Sequence, residues 1–327
     1  MPRCVLTGFA SVLVLAFAGG CGGGKHSADK PAAPRPAAAA ADLVKFPPAK
    51  GKTLNQLRRQ FPEGPVFAPA VSLLQVGKNR VGFALFDRAH KQLTGVPVAV
   101  YVSKPDGSGL AGPYAAHTES LAVKAQFQSR STASDPDAAT SIYVAEVPFR
   151  RTGKVVLSAV ALVGGKTVTT SRFGRPVVRS GGPPDVGEKA TRISTPTSAD
   201  VTGDLAKIDT RVPPAPDLHT TDFADVLGKK PAVLLFATPR LCQSRVCGPV
   251  VDVAEQVRSE VGDRVAFVHM EVFRDNDIDK GVRPQFSAYK LETEPWAFIV
   301  GADGRVKARF EGAFSARELS AAVAKVQ

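Results

Sequence analysis

The sequence predicts an exported chain with two folded parts, an all-β sandwich followed by an α/β domain, behind a signal segment and a Pro-rich tether. Three observations carry this expectation. The first twenty residues are mostly apolar and end in small residues before Cys21. Residues 63–179 are short β-rich runs separated by turn residues. From residue 217 onward, apolar strands alternate with amphipathic stretches, the pattern of an α/β unit.

Arg3 and the terminal amine give a basic start, and residues 5–18 are almost wholly apolar. A span of the bilayer core needs about 20 residues. This shorter run ends in Ala18-Gly19-Gly20, the layout of a cleaved signal peptide over residues 1–20. Cys21 and three glycines follow. The stretch resembles a lipobox, with Ala18 where leucine is commoner. That resemblance implies lipid on Cys21, palmitate included, and a place on the extracytoplasmic face of the bacterial cell membrane. No other segment is long and apolar enough to serve as an anchor.

Residues 21–62 read as a tether. PAAPRPAAAA lies near its middle, and no periodic apolar face appears. Charge is uneven: residues 21–207 hold 25 Lys and Arg against 13 Asp and Glu, whereas residues 208–327 hold 16 against 17. The basic half lies close to the membrane, where it favours anionic headgroups or simply keeps the leash solvated. Nucleic acid is not an expected partner, because the charge is dispersed and no reader motif is present.

In the β part, candidate strands cover residues 70–76, 80–86, 96–103, 121–129, 142–147, 154–163 and 166–173. Val98, Val100 and Val102 alternate with Pro97, Ala99 and Tyr101 at a period of two. Lys104-Pro105-Asp106-Gly107 and Gly164-Gly165 supply turns. Seven short strands in this length suggest an immunoglobulin-like sandwich. Residues 180–216, rich in Gly, Pro, Ser and Thr, read as a linker.

In the last part, residues 223–227 form a helical turn and PAVLLFA at 231–237 is a strand buried on both faces. Val250, Val253, Ala254 and Val257 lie at helical spacing. Further strands are expected at 264–273, 296–300 and 305–310, and further helices at 282–290 and 316–326. This β-α-β-α-β-β-α series over residues 217–327 resembles the thioredoxin fold. FATPRLCQSRVCGPV sits where that family carries its redox centre, and Glu294-Pro295 sits where it carries a cis-proline. The resemblance therefore implies that Cys242, Cys247, Glu294 and Pro295 meet at one site.

Cys4 leaves with the signal and Cys21 takes lipid, so the mature fold keeps only Cys242 and Cys247. Their spacing departs from the family's C-x-x-C. Five residues along a helix turn the side chain about 140° and rise about 7.5 Å, whereas a disulfide needs Cα atoms within about 7 Å. At least one cysteine must then lie in the loop. Pro249 favours the first helical position, with Gly248 as cap and both sulfurs ahead of the helix N-terminus, where a thiolate is stabilised. Cys247 is read either as the family's second cysteine, with Cys242 displaced, or as its first. Glu294 beside the sulfurs is expected to raise their pKa, and Arg240 and Arg245, if turned inward, to lower it.

Three functions compete. Thiol–disulfide exchange with exported proteins bearing thiols or disulfides uses one cysteine as nucleophile and the other to resolve; a permanent structural disulfide is its inert counterpart. Copper handling would resemble Sco-like carriers, which share the fold and use two cysteines separated by three residues plus a distant histidine. Here four residues separate the cysteines, and the candidate third ligand is His269, after which no histidine follows. A non-catalytic binding or scaffold lipoprotein is the third reading. A peroxiredoxin fits poorly, since Thr238 lies four residues before Cys242, not three.

Overall fold

The computed structural model describes residues 46–327; the signal segment, Cys21 and most of the tether lie outside the described residues. Order begins within the stretch read as tether. Thr53 and Gln56 form a reciprocal capping box on α1 (Leu54–Arg58). Leu57 packs with Phe46, Ala99, Tyr101 and Val160, and the Tyr101 hydroxyl donates to the Pro47 carbonyl at 2.7 Å. An apolar pair at i, i+3 and one phenylalanine outweigh the Pro- and Lys-rich composition around them.

Among the described residues the β part has ten strands. These are β1 (Val66–Pro69), β2 (Leu74–Gln75), β3 (Gly77–Phe86), β4 (Gln92–Leu93), β5 (Val98–Ser103), β6 (Ala111–Ser120), β7 (Ser141–Phe149), β8 (Gly153–Val163), β9 (Lys166–Thr169) and β10 (Phe173–Val178). They hydrogen-bond in the order β1-β3-β7-β6-β5-β8-β10-β2, with β4 on β3 and β9 on β8. β6 changes partner along its length: Ala115 pairs with Ala99 of β5, and Ala116 onward pairs with β7. The sheet folds there, and its two halves enclose Phe67, Phe83, Val100, Tyr143, Ala145 and Leu157.

The strand expected at residues 121–129 is instead the start of the β6–β7 connection, which contains α2 (Arg130–Ser134). The true sixth strand, AGPYAAHTES, carries Gly, Pro, His and Glu, so an apolar alternation does not reveal it.

The α/β part contains α3 (Phe223–Val226), β11 (Ala232–Phe236), α4 (Cys247–Val261), β12 (Ala266–Met270), α5 (Pro284–Ala288), β13 (Trp296–Val300), β14 (Val306–Glu311) and α6 (Ala316–Val323). Its sheet runs β12-β11-β13-β14, with β11 and β12 parallel and the other pairs antiparallel. This is a thioredoxin-like arrangement. β11 is buried on both faces: Val233 and Leu235 meet α4 and α6, while Leu234 and Phe236 meet Phe286, Tyr289 and Phe298. Helices on both sides explain its unbroken apolar run.

Residues 180–216 contain short 3₁₀ turns and a single bridge from Lys189 to Arg305, and they pack against the α/β part. Ala190 and Ile193 join Phe223 in one core, and Ile208, Asp209 and Arg211 are buried. Arg211 donates through Nε to Asp252 of α4 at 2.8 Å and to the carbonyls of Phe127 and Pro213 at 2.8 and 2.7 Å. The two parts also share a core, since Leu121, Ile142 and Val144 pack with α4 residues. Among the described residues no helix is long and apolar enough to cross a membrane.

Candidate active site

β11 ends at Phe236, and the chain turns through Thr238 to Val246 before α4 begins. Leu241 N–H donates to the Thr238 carbonyl, and Arg245 N–H to the Cys242 carbonyl. Arg245 itself adopts a left-handed φ of 58°, which reverses the loop and returns the chain toward Cys242. Cys247 is the first residue of α4, with Val246 as N-cap. The helix therefore starts two residues ahead of Pro249. Proline is tolerated throughout a first turn, because N–H groups there lack intrahelical partners. Cys242 stays in the loop, and the sequence spacing is reconciled with sulfur contact.

Both cysteines are free thiols. Their sulfurs and a Glu294 carboxylate oxygen all lie within 4.8 Å of one another. Three of the four expected residues, Cys242, Cys247 and Glu294, are thus together, and Glu294-Pro295 is a cis peptide. Cys247 is fully buried, while Cys242 is 8% exposed and its Sγ lies 3.2 Å from Ser244 Oγ.

The two sulfurs are electrostatically unlike. The Cys247 thiol donates to Cys242, and the Ser244 hydroxyl and the Cys247 and Val246 N–H groups assist; together they lower the Cys242 pKa to about 6 against the opposing effect of burial. Burial pushes Cys247 well above the ordinary thiol range, with its hydrogen bond to Cys242 and the nearby Glu294 adding to the rise. Glu294 is raised to about 9, first by burial and then by the charge on Cys242 and on Glu271. Its Oε2 is buried and unpartnered.

This corrects the simplest expectation for Glu294. A carboxyl that titrates near 9 is still neutral while Cys242 ionises near 6, so it does not hold that thiol protonated; its charge adds to the rise at Cys247. Nor do the arginines turn inward. Arg240 is exposed, and Arg245 reaches out to Asp135 in the β6–β7 connection, 2.8 Å away.

That connection forms one wall of a cleft of about 740 Å³. Thr132, Asp135 and Pro136 face Arg240, Cys242 and Gln243 across it. Contact at the rear is tight: a Cβ on Gly248 would lie 2.8 Å from Thr132 Oγ1. Ala139 N–H donates to the Arg245 carbonyl at 3.1 Å. Ser129 N–H donates to Asp252 Oδ2 at 3.1 Å, and Lys124 N–H to Gln256 Oε1 at 2.7 Å. Sequence reading had no means of finding this wall, because Ser129, Thr132 and Asp135 lie more than a hundred residues before the cysteines and form no motif with them.

His269 belongs to a different cluster, with Asp209 and His219. Its Nε2 lies 3.0 Å from the Ala237 carbonyl and its Nδ1 faces Asp209. The third donor beside the sulfurs is thus a carboxylate, a harder ligand than Cu(I) prefers.

No protein-family model matches the sequence, and no curated protein matches it either. Among solved structures, the chain is similar to a thiol:disulfide interchange protein of the thioredoxin family from Chlorobium tepidum TLS. The identity is 15% and the TM-score 0.30, covering 45% of this chain and 98% of that one.

Proposed function

We propose that this chain is an exported thiol–disulfide exchange protein, held at the extracytoplasmic membrane face by lipid on Cys21, with Cys242 as nucleophile. The observation that carries the reading is the asymmetry of the sulfur pair: one thiol opens on a cleft with its pKa lowered to about 6, and the other is buried and protonated. An attacking thiol works best with a pKa near ambient pH.

In the first step Cys242 thiolate attacks one sulfur of a partner disulfide. A mixed disulfide forms, and the partner's other sulfur leaves as a thiolate and takes a proton from water. Losing the Cys242 charge removes one cause of the raised Glu294 pKa, so its carboxyl ionises more readily. That carboxylate takes the Cys247 proton as Cys247 attacks Cys242. The Cys242–Cys247 disulfide forms, and the partner leaves with both sulfurs reduced. The reverse sequence delivers a disulfide to a dithiol. The immunoglobulin-like part, in this reading, supplies the cleft wall and restricts which partners reach Cys242.

The test is trapping. Cys247→Ser should accumulate a mixed disulfide with a disulfide-bearing peptide, visible by non-reducing mass spectrometry, and Cys242→Ser should not. Equal adduct in the two variants, or none in either, would exclude Cys242 as nucleophile.

A further inference from the structure

The least expected polar cluster is made of one carboxylate and two imidazoles. Asp209, His219 and His269 have side chains with no exposed surface. Asp209 Oδ2 lies 3.3 Å from His219 Nε2, and Asp209 Oδ1 lies 3.6 Å from His269 Nδ1. The imidazole rings are tilted at 58°, with centroids 5.2 Å apart.

The hydrogen bonds fix what each atom presents. His269 Nε2 faces the Ala237 carbonyl at 3.0 Å and must donate to it, because a carbonyl only accepts. In a neutral ring Nδ1 is then a bare lone pair, and it is buried without a hydrogen-bond partner. That lone pair points at a carboxylate. The carboxylate oxygens already accept from Arg211 N at 2.9 Å and Ala215 N at 2.7 Å, and each keeps a second lone pair. Two acceptors facing each other out of water repel unless a positive charge lies between them.

We infer that this charge is a first-row divalent metal ion, with zinc the best match, held by Asp209, His219 and His269. Donors about 2.0–2.1 Å from a tetrahedral zinc are separated by roughly 3.3–3.4 Å. The 3.3 and 3.6 Å separations are close to that edge, and 3.6 Å is too long for a hydrogen bond. Two imidazole nitrogens and the Asp209 carboxylate supply three ligand residues whose donor atoms all lie within 4.8 Å of one another, and borderline nitrogen and oxygen donors of this kind suit zinc. The Ala237 carbonyl is the outer partner that orients the His269 ring. Full burial leaves no position for a substrate, so the ion is a staple. It ties Asp209 and His219, in a stretch with short 3₁₀ turns, to β12.

The test uses the full chain carrying Cys242→Ser and Cys247→Ser, so that sulfur ligands are absent. Purified without chelator, it should contain a stoichiometric divalent metal by elemental analysis. Refolded with Co(II), it should show tetrahedral d–d bands without a thiolate charge-transfer band. Adding His219→Ala should abolish both signals. Should that variant fail to fold, the Tm of the parent, refolded with and without Zn(II), gives a second readout, and the metal should raise it. Three results would overturn the site: a folded parent without metal and without a Tm response, metal bound only when the cysteines are present, or a 15N NMR spectrum of His269 showing protons on both ring nitrogens.

Discussion

Replacing Cys247 with alanine removes the largest single cause of the lowered Cys242 pKa, the thiol that donates to its sulfur. In the parent, alkylation of Cys242 by iodoacetamide should follow a midpoint near pH 6. An ordinary thiol titrates at about 8.5. At pH 7 these values give about 90% and 3% thiolate, a roughly 30-fold difference. Nucleophilicity falls with a Brønsted slope of about 0.4–0.5, which removes roughly 10- to 20-fold over that interval. The net advantage at pH 7 is therefore only about two- to threefold. At pH 5 the thiolate ratio is about 300-fold, and the net advantage grows to roughly 20-fold. The acid limb of the profile is thus the diagnostic region. Cys247→Ala should move the midpoint upward by at least about one unit, each unit being about 1.4 kcal/mol. Ser244 and the two N–H groups remain and prevent a full return. Limited access to Cys242 scales every rate equally and leaves the midpoint alone. A parent midpoint near 8.5 would refute thiolate stabilisation. A midpoint of 6 unchanged in Cys247→Ala would assign it to the helix N-terminus instead.

Glu294→Gln should leave the Cys242 midpoint near 6, yet lengthen the life of the mixed disulfide tenfold or more through loss of a proton acceptor; time-resolved quenching with mass spectrometry measures it. The same substitution should raise Tm progressively between about pH 4.3 and pH 9, because a carboxyl whose folded pKa is raised to about 9 costs stability across that window. Gly248→Ala drives a methyl against Thr132 Oγ1 and should cost about 1–3 kcal/mol in urea unfolding; adding Thr132→Ala should restore part of it, and equal loss in single and double variants would deny the contact. Cys21→Ser should abolish fatty-acid labelling, and undiminished label would remove the proposed anchor.

What the sequence revealed and what it hid follow from the range of the interactions. β11 was legible because five consecutive apolar residues flanked by proline and a turn have few other destinies. Cys242, Cys247, Glu294 and Pro295 were legible through resemblance, though 46 residues separate Cys247 from Glu294. β6 was hidden because its role as the strand shared by both halves of the sheet tolerates small and polar residues. The start of α4 was misplaced because proline marks a first turn without fixing which residue of it. Asp209 and His219 were hidden most deeply. Asp209 lies in the stretch whose composition reads as linker and His219 just past its end, and their burial depends on histidines and an aspartate finding each other across the fold.

The salt bridge from Arg245 to Asp135 has a consequence for heredity. The reactive loop takes part of its shape from residues encoded far upstream: Asp135 holds its side chain and Ala139 its carbonyl. A recombination point in residues 180–216 would appear neutral on a gene map, since it falls between two recognisable folds. It would nonetheless separate the cysteine loop from half of its mould, and would strip Leu121, Ile142 and Val144 from α4. The two parts therefore travel together or not at all. A lineage that exchanged one for a foreign counterpart would have to rebuild the reactive centre as well as the seam.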